Sequence, residues 1–174
     1  VGTGLWTLIA GTGTITTPSS PTSAVSGLSV GTNTFQWTIT NGSCPSSSDQ
    51  MSIIISALPT TSNAGPDQNL CNVTSSVFAG NSPIVGTGLW TLIAGTGTIS
   101  TPSSATSTVT GLSLGTNTFQ WTITNGSCPS SSDQVNIIVS ALPTTSNAGS
   151  DQNLCNVTSS SFAGNTPVVG TGLW

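Results

Sequence analysis

The cysteines are the residues whose spacing bears most directly on chemistry. Cys44, Cys71, Cys128 and Cys155 are the four in the chain, and neighbouring ones are 27 or 57 residues apart. Zinc sites use clustered Cys or His ligands, whereas this chain has no CxxC pair and no histidine. These thiols are therefore candidates for disulfide bonds and not for a metal centre.

The aspartates are the only charged residues: Asp49, Asp67, Asp133 and Asp151. Calcium takes six to eight oxygen ligands, and isolated carboxylates supply few of them. We therefore expect no metal site, and we interpret Asp67 and Asp133 as turn and strand-edge residues.

The missing residue types exclude most catalytic and binding chemistry. Lysine, arginine, histidine and tyrosine are all absent, so no side chain titrates near neutrality or activates a Ser, Thr or Cys nucleophile. We predict that the chain is not an enzyme and needs no cofactor. Without cations it cannot neutralise nucleic-acid phosphates or attach electrostatically to anionic lipid, and no apolar run reaches the roughly 20 residues of a membrane-spanning helix.

An internal repeat organises the chain. Val1–Trp6 returns as Val85–Trp90 and as Val169–Trp174, a period of 84 residues, and the two copies differ at twelve of ninety aligned positions. A period of this length indicates one small domain per repeat within an array. We expect residues 1–57 to be the C-terminal part of one repeat, 58–141 a complete repeat and 142–174 the N-terminal part of the next, with each partial repeat completed by an adjoining one.

Strand patterns dominate the repeat. In Thr34–Thr40 the apolar Phe35, Trp37 and Ile39 alternate with polar residues, and Asn125-Gly126 is a strong hairpin signal after the equivalent strand of the second copy. Seven short strands are predicted in 58–141, at about 63–70, 75–80, 88–94, 97–101, 105–111, 117–124 and 134–140. This pattern is typical of an all-β, two-sheet antiparallel sandwich of immunoglobulin type.

Differences between the copies indicate which positions face water. Val77 becomes Ser161 while Phe78 remains Phe162, so position 77 is predicted to point outward and Phe78 inward. The predicted core of the complete repeat comprises Leu70, Phe78, Trp90, Leu92, Ile99, Val109, Leu112, Phe119, Trp121, Ile123, Val135, Ile137 and Val139.

The motifs "NAGPDQNLC", "FAGN", "GTGLWT", "GTNTFQWTITNG" and "SSDQVNIIV" resemble the PKD-like and Ig-like tandem domains of very large secreted surface proteins of Bacteroidota, including gliding-motility adhesins. The resemblance implies an extracellular location on the bacterial cell surface. In the better known PKD domains an Asp-rich turn follows the second strand, whereas this chain has Gly80-Asn81-Ser82-Pro83 there.

For a secreted protein, the matched pair of cysteines in each repeat predicts disulfides. Three pairings are open. The first joins Cys71 to Cys128 within the repeat, although the two turns would lie at opposite ends of a sandwich. Alternatively, Cys71 joins a cysteine of the following repeat, or Cys44 joins Cys71 and Cys128 joins Cys155.

The predicted function is a stalk or shaft segment of a long extracellular adhesin or fibre, whose partners are the neighbouring repeats of the same protein. Two alternatives remain open. One is a self-assembling extracellular filament or sheath with lateral copies as partners. The other is an array of carbohydrate-binding modules for surface glycans, which requires exposed aromatic side chains.

Overall fold

The computed structural model describes residues 2–174, and every regular element among them is a strand. The first repeat contributes β1 (Thr3–Ala10), β2 (Thr14–Ile15), β3 (Val25–Ser26), β4 (Gly31–Thr40) and β5 (Ser47–Ile55). The second contributes β6 (Gln68–Cys71), β7 (Ser75–Val77), β8 (Thr87–Ala94), β9 (Thr98–Ile99), β10 (Thr108–Thr110), β11 (Gly115–Thr124) and β12 (Ser131–Ser140). No helix of membrane-spanning length occurs in this described part of the chain.

The complete repeat is built from two sheets. One has the strand order β6-β12-β11-β8 and the other the order β7-β10-β9. The predicted all-β, immunoglobulin-like fold with seven strands is thereby confirmed. The expectation of uniformly antiparallel pairing is wrong at one place, since β6 runs parallel to β12, with Leu70 opposite Val139 and Cys71 opposite Ser140.

Aromatic side chains form the centre of the complete repeat. Phe78 stacks on Trp90 with ring centroids 4.0 Å apart and meets Phe119 edge-on at 5.0 Å, while the rings of Trp90 and Trp121 lie 5.1 Å apart. Ten of the predicted core residues are buried: Phe78, Trp90, Val109, Leu112, Phe119, Trp121, Ile123, Val135, Ile137 and Val139. Val77 is exposed, as the exchange with Ser161 predicts.

The prediction of three core residues needs correction. Leu92 is 41% exposed and lies on β8, an edge strand of its sheet, whereas Trp90 on the same strand is buried. Leu70 and Ile99 are half-buried; they lie on β6 and β9, which are also edge strands of their sheets.

The predicted first strand, 63–70, begins five residues too early. Residues 63–67 are irregular because side chains take their backbone hydrogen bonds. The Asn63 side chain accepts from the Gly65 N–H at 2.8 Å, and Asp133 accepts from the Ala64 N–H at 2.8 Å. Such side-chain bonds compete with a strand ladder.

Two compact units divide the chain. One comprises the chain through Thr60 together with Pro83–Thr87 and Ile123–Ser131, and the other comprises Thr61–Ser82, Gly88–Thr122 and Ser132–Trp174. In the first unit, β1-β4-β5 form one sheet and β2-β3 another. Residues 142–174 in the second unit contain no strand. Among the described residues, β1–β5 are the counterparts of β8–β12 one period earlier.

Candidate functional site

The four predicted disulfide candidates are free thiols in this structure. Cys44, Cys71 and Cys155 are exposed and Cys128 is half-buried. Cys44 and Cys128 occupy equivalent turns, and in each the cysteine N–H donates to the carbonyl of the asparagine three residues earlier, at 3.1 Å. The pairing of the cysteines stays a prediction.

Within the first compact unit, the turn between β11 and β12 contacts the chain that leaves β5. The Asn125 side chain donates from Nδ2 to the Ala57 carbonyl at 2.8 Å, and the Cys128 thiol donates to the Ser56 carbonyl at 3.3 Å. Gly126 lies between them, and a Cβ at this position would collide with the Ser56 side chain. The segment that connects the two repeats is therefore held by the turn of the second repeat.

Thr60 fixes the same connection a few residues later. Its N–H donates to the Val85 carbonyl at 3.0 Å, and its hydroxyl accepts from the N–H groups of Ile84 and Val85, each at 2.9 Å. A hydroxyl that satisfies two consecutive backbone donors takes the place of a turn hydrogen bond. The passage from one repeat to the next is a hydrogen-bonded segment and not a free linker.

The two aspartates of the complete repeat bind backbone N–H groups. Asp133 accepts from Ala64, which is buried, and Asp67 accepts from the backbone N–H of Asn136 at 2.8 Å and from its side chain at 3.3 Å. Both bonds connect the irregular segment before β6 to β12. The structure thus gives these carboxylates a structural role, and no cluster of three or more potential ligands for a metal ion occurs among the described residues.

Asn117 is a structural residue that the sequence patterns did not identify. Its side chain is completely buried, and Oδ1 accepts from the Thr96 N–H at 2.9 Å and the Ser113 hydroxyl at 3.0 Å. Nδ2 donates to the carbonyls of Ser113, Gly115 and Ile137. Asn33 makes equivalent bonds to Thr12 and Ser29 in the first repeat. Its recurrence as Asn33 did not single it out, because all but twelve of the ninety aligned positions recur.

The aromatic side chains of the complete repeat do not form an exposed platform. Phe78, Trp90, Phe119 and Trp121 are all buried. The indole N–H groups donate to backbone carbonyls, Trp90 to Ala105 at 3.2 Å and Trp121 to Asn81 at 3.1 Å. These rings therefore form the core of the domain and do not provide a surface on which sugars can stack.

The sequence profile of the K319L-like PKD domain matches residues 64–139, which lie within the complete repeat. No curated protein matches the chain significantly.

Several solved structures are similar to the chain. The PKD domain from the KIAA 1837 protein is 27% identical, with 53% of this chain and 93% of that chain covered and a TM-score of 0.42. The tandem Ig repeats of Dlar are 12% identical, with 81% and 84% covered and a TM-score of 0.38. Domains 4 and 5 of the S-layer protein SbsC are 16% identical, with 80% and 70% covered and a TM-score of 0.36.

Proposed function

We propose that this chain is a shaft segment of a long extracellular fibre or adhesin on a bacterial surface, with neighbouring repeats of the same protein as its partners. Near-identical repeats, a PKD/Ig-like domain and a surface with four carboxylates and no cations support a mechanical role over a catalytic one. The proposed protein would be similar to the gliding-motility adhesins that the repeat motifs resemble.

The observation that carries this proposal is the passage between repeats. A shaft transmits force only if consecutive domains do not swivel freely, and inter-domain motion is the default where few contacts cross a linker. Here Ser56, Ala57 and Thr60 are all hydrogen-bonded within one compact unit that draws residues from both repeats. The connecting segment is therefore anchored within that unit, as a segment that transmits load along the chain must be.

Amide hydrogen exchange tests this connection. Asn125→Ala removes the donor to the Ala57 carbonyl, a bond that contributes about 1 kcal/mol, so we expect exchange at the Thr60 amide to accelerate roughly fivefold. Asn41→Ala is the matched control. Asn41 occupies the equivalent turn of the first repeat, but the Ala57 carbonyl is bound by Asn125 and not by Asn41. Equal Thr60 exchange in wild type and Asn125→Ala would contradict a held connection.

The location is tested on intact cells that produce the natural protein. Gold-labelled antibodies against this chain should decorate thin fibres outside unpermeabilised cells, at intervals along their length. Label confined to permeabilised cells would overturn the extracellular shaft.

We further propose that the cysteines join successive repeats. Cys128 donates to the Ser56 carbonyl, and the residue equivalent to Ser56 one period later is Ser140. Ser140 lies opposite Cys71 in the ladder of β6 and β12, and its carbonyl accepts from the Asn72 N–H at 2.8 Å. In an array, the turn cysteine of one repeat would thus reach the carbonyl beside the first-strand cysteine of the preceding repeat.

A further inference from the structure

The turn between β11 and β12 contains an asparagine followed by a glycine, and the contacts of the connecting segment require both. Asn125 Nδ2 donates to the Ala57 carbonyl at 2.8 Å. Gly126 has a φ of +54°, in the left-handed region that favours glycine, and a Cβ there would collide with the Ser56 side chain. The connection between the repeats therefore imposes the pair Asn-Gly on this turn.

Asparagine is chemically least stable when glycine follows it, because glycine has no Cβ to hinder attack by its own nitrogen. The Gly126 nitrogen attacks Cγ of Asn125 and loses its proton, and Nδ2 leaves as ammonia. Water then opens the resulting succinimide ring at either carbonyl, which gives aspartate or isoaspartate. The sum is hydrolysis of one amide without an oxidant or reductant, and Gly126 and Ser127 are exposed to the water that it consumes.

The hydrogen bond to Ala57 opposes this reaction. Attack requires that Cγ of Asn125 approach the Gly126 nitrogen and that Nδ2 depart, whereas the bond holds Nδ2 on the Ala57 carbonyl. The Asn125 side chain is also half-buried, and the Asn125 carbonyl accepts from the Cys128 N–H at 3.1 Å, which fixes the turn. Deamidation is therefore slow while the connection is closed and becomes faster when it opens.

The product of the reaction cannot restore the bond. Aspartate at position 125 has carboxylate oxygens in place of the Nδ2 donor, and two acceptors form no hydrogen bond with each other. Isoaspartate in addition lengthens the backbone of the turn. Each event also adds one negative charge to a chain whose charged residues are four aspartates.

We propose that Asn125-Gly126 is a site of spontaneous deamidation that is gated by the connection between the repeats. The closed connection protects Asn125, and each opening exposes it to a reaction after which the connection cannot close as before. The turn thereby keeps a permanent chemical record of opening, which would accumulate in a fibre under load. The inference deepens the proposed shaft function and rests on the held connection within it.

The chain contains an internal reference with the same local sequence. Asn41-Gly42 is the only other Asn-Gly pair, and residues 39–50 are identical to residues 123–134. Gly42 has the same φ of +54°, and the Cys44 N–H closes the same turn on the Asn41 carbonyl at 3.1 Å. The two asparagines thus share sequence and turn, and the bond to Ala57 belongs to Asn125.

Peptide mapping of the 174-residue chain during incubation at neutral pH, with the thiols kept reduced, tests the proposal. Mass spectrometry of chymotryptic peptides detects the replacement of NH₂ by OH at each asparagine. In the folded chain we expect Asn125 to deamidate at least about fivefold more slowly than Asn41, since an ordinary hydrogen bond lowers the unbound population by about that factor. In urea, where the contacts are lost, the two rates should be equal.

Thr60→Val loosens the connection without changing either Asn-Gly pair. It removes the hydroxyl that accepts from the N–H groups of Ile84 and Val85. Deamidation of Asn125 should therefore accelerate toward the rate of Asn41, which itself stays unchanged. Near-UV circular dichroism of the buried tryptophans checks that the complete repeat of this variant is folded.

Thr144→Val is the matched control. The Thr144 hydroxyl accepts in the same way from the N–H groups of Val168 and Val169, but Thr144 belongs to the other compact unit. This variant loses the same kind of hydrogen bonds and should leave the deamidation of Asn125 as slow as in wild type.

Asn125→Asp reproduces one product of the reaction. We expect it to accelerate amide exchange at Thr60 at least as much as Asn125→Ala does, because the new carboxylate faces the Ala57 carbonyl. Asn41→Asp adds the same charge at the equivalent turn and should leave Thr60 exchange unchanged. Wild-type exchange at Thr60 in Asn125→Asp would show that deamidation does not release the connection, and would overturn the proposal.

Equal deamidation of Asn125 and Asn41 in the folded chain would also overturn it. The same holds if Thr60→Val leaves Asn125 as slow as in wild type, or if Thr144→Val accelerates it as much as Thr60→Val does. The shaft proposal is judged separately. Faster Thr60 exchange in Asn125→Ala, together with equal deamidation of the two asparagines, would leave the held connection standing and reject its gating of the reaction.

Discussion

Individual core positions follow from alternation because a strand exposes one face to water and buries the other. Trp121, Phe119 and Ile123 were predicted in this way and are buried. Alternation also places Leu92 inside, but it says nothing of whether a strand lies at a sheet edge. Asn117 was not predicted because burial of a polar side chain depends on partners from distant loops, which no local pattern encodes.

We expect Asn117→Ala to lower the free energy of unfolding of the complete repeat by about 2–4 kcal/mol. The substitution leaves the Thr96 N–H and the carbonyls of Ser113 and Ile137 without their partner in a buried site. Urea unfolding followed by tryptophan fluorescence measures the change. Thr110→Ser is the control, because the first repeat has serine at the equivalent position, Ser26. Equal urea midpoints for Asn117→Ala and Thr110→Ser would contradict the role of Asn117.

The number and order of strands in the complete repeat were predictable, and their bounds less so. Gly, Pro and Asn turns separate the apolar runs, so the seven strands were found in sequence. The late start of β6 and its parallel pairing with β12 are accompanied by hydrogen bonds from Asp67 and Asp133 to backbone groups 69 residues away. Contacts at such a separation leave no signal in a local window.

Asp133→Ala should loosen the segment before β6. It removes the acceptor for the buried Ala64 N–H, and we expect a loss of about 1–3 kcal/mol in the stability of the complete repeat. Amide exchange at Ala64 should accelerate with it. Asp49→Ala is the matched control, because Asp49 is the equivalent position of the first repeat and the Ala64 N–H is bound by Asp133; this variant should unfold like wild type. Unchanged Ala64 exchange in Asp133→Ala would show that the carboxylate does not hold this segment.

At the scale of the whole molecule, the contacts of one repeat can be compared with those of the other. Ser56 and Ser140 are equivalent positions, 84 residues apart in the sequence. The contact of Ser56 with Cys128 can therefore be compared with the pairing of Ser140 and Cys71. The division into residues 1–57, 58–141 and 142–174 stays a prediction, and so do the disulfides. The two cysteines of the complete repeat lie at opposite ends of β12. Cys71 is paired with Ser140 at the end of the strand, and Cys128 lies just before Ser131 at its beginning.

Oxidation of this chain should therefore form disulfides between chains and not within one. Oxidised glutathione accepts the two electrons and two protons lost by each pair of thiols, and is reduced to two thiols. If the turn cysteine of one repeat joins the first-strand cysteine of the preceding repeat, no two of the four cysteines in this chain are partners, so each joins a cysteine of another chain. Non-reducing electrophoresis should show a ladder that reductant collapses to a single 17.3 kDa band. The chain has no Lys or Arg at which trypsin could cut, so chymotrypsin digestion and mass spectrometry identify the disulfide pairs. A peptide that joins Cys71 to Cys128 within one chain, without a ladder, would overturn the inter-repeat disulfide.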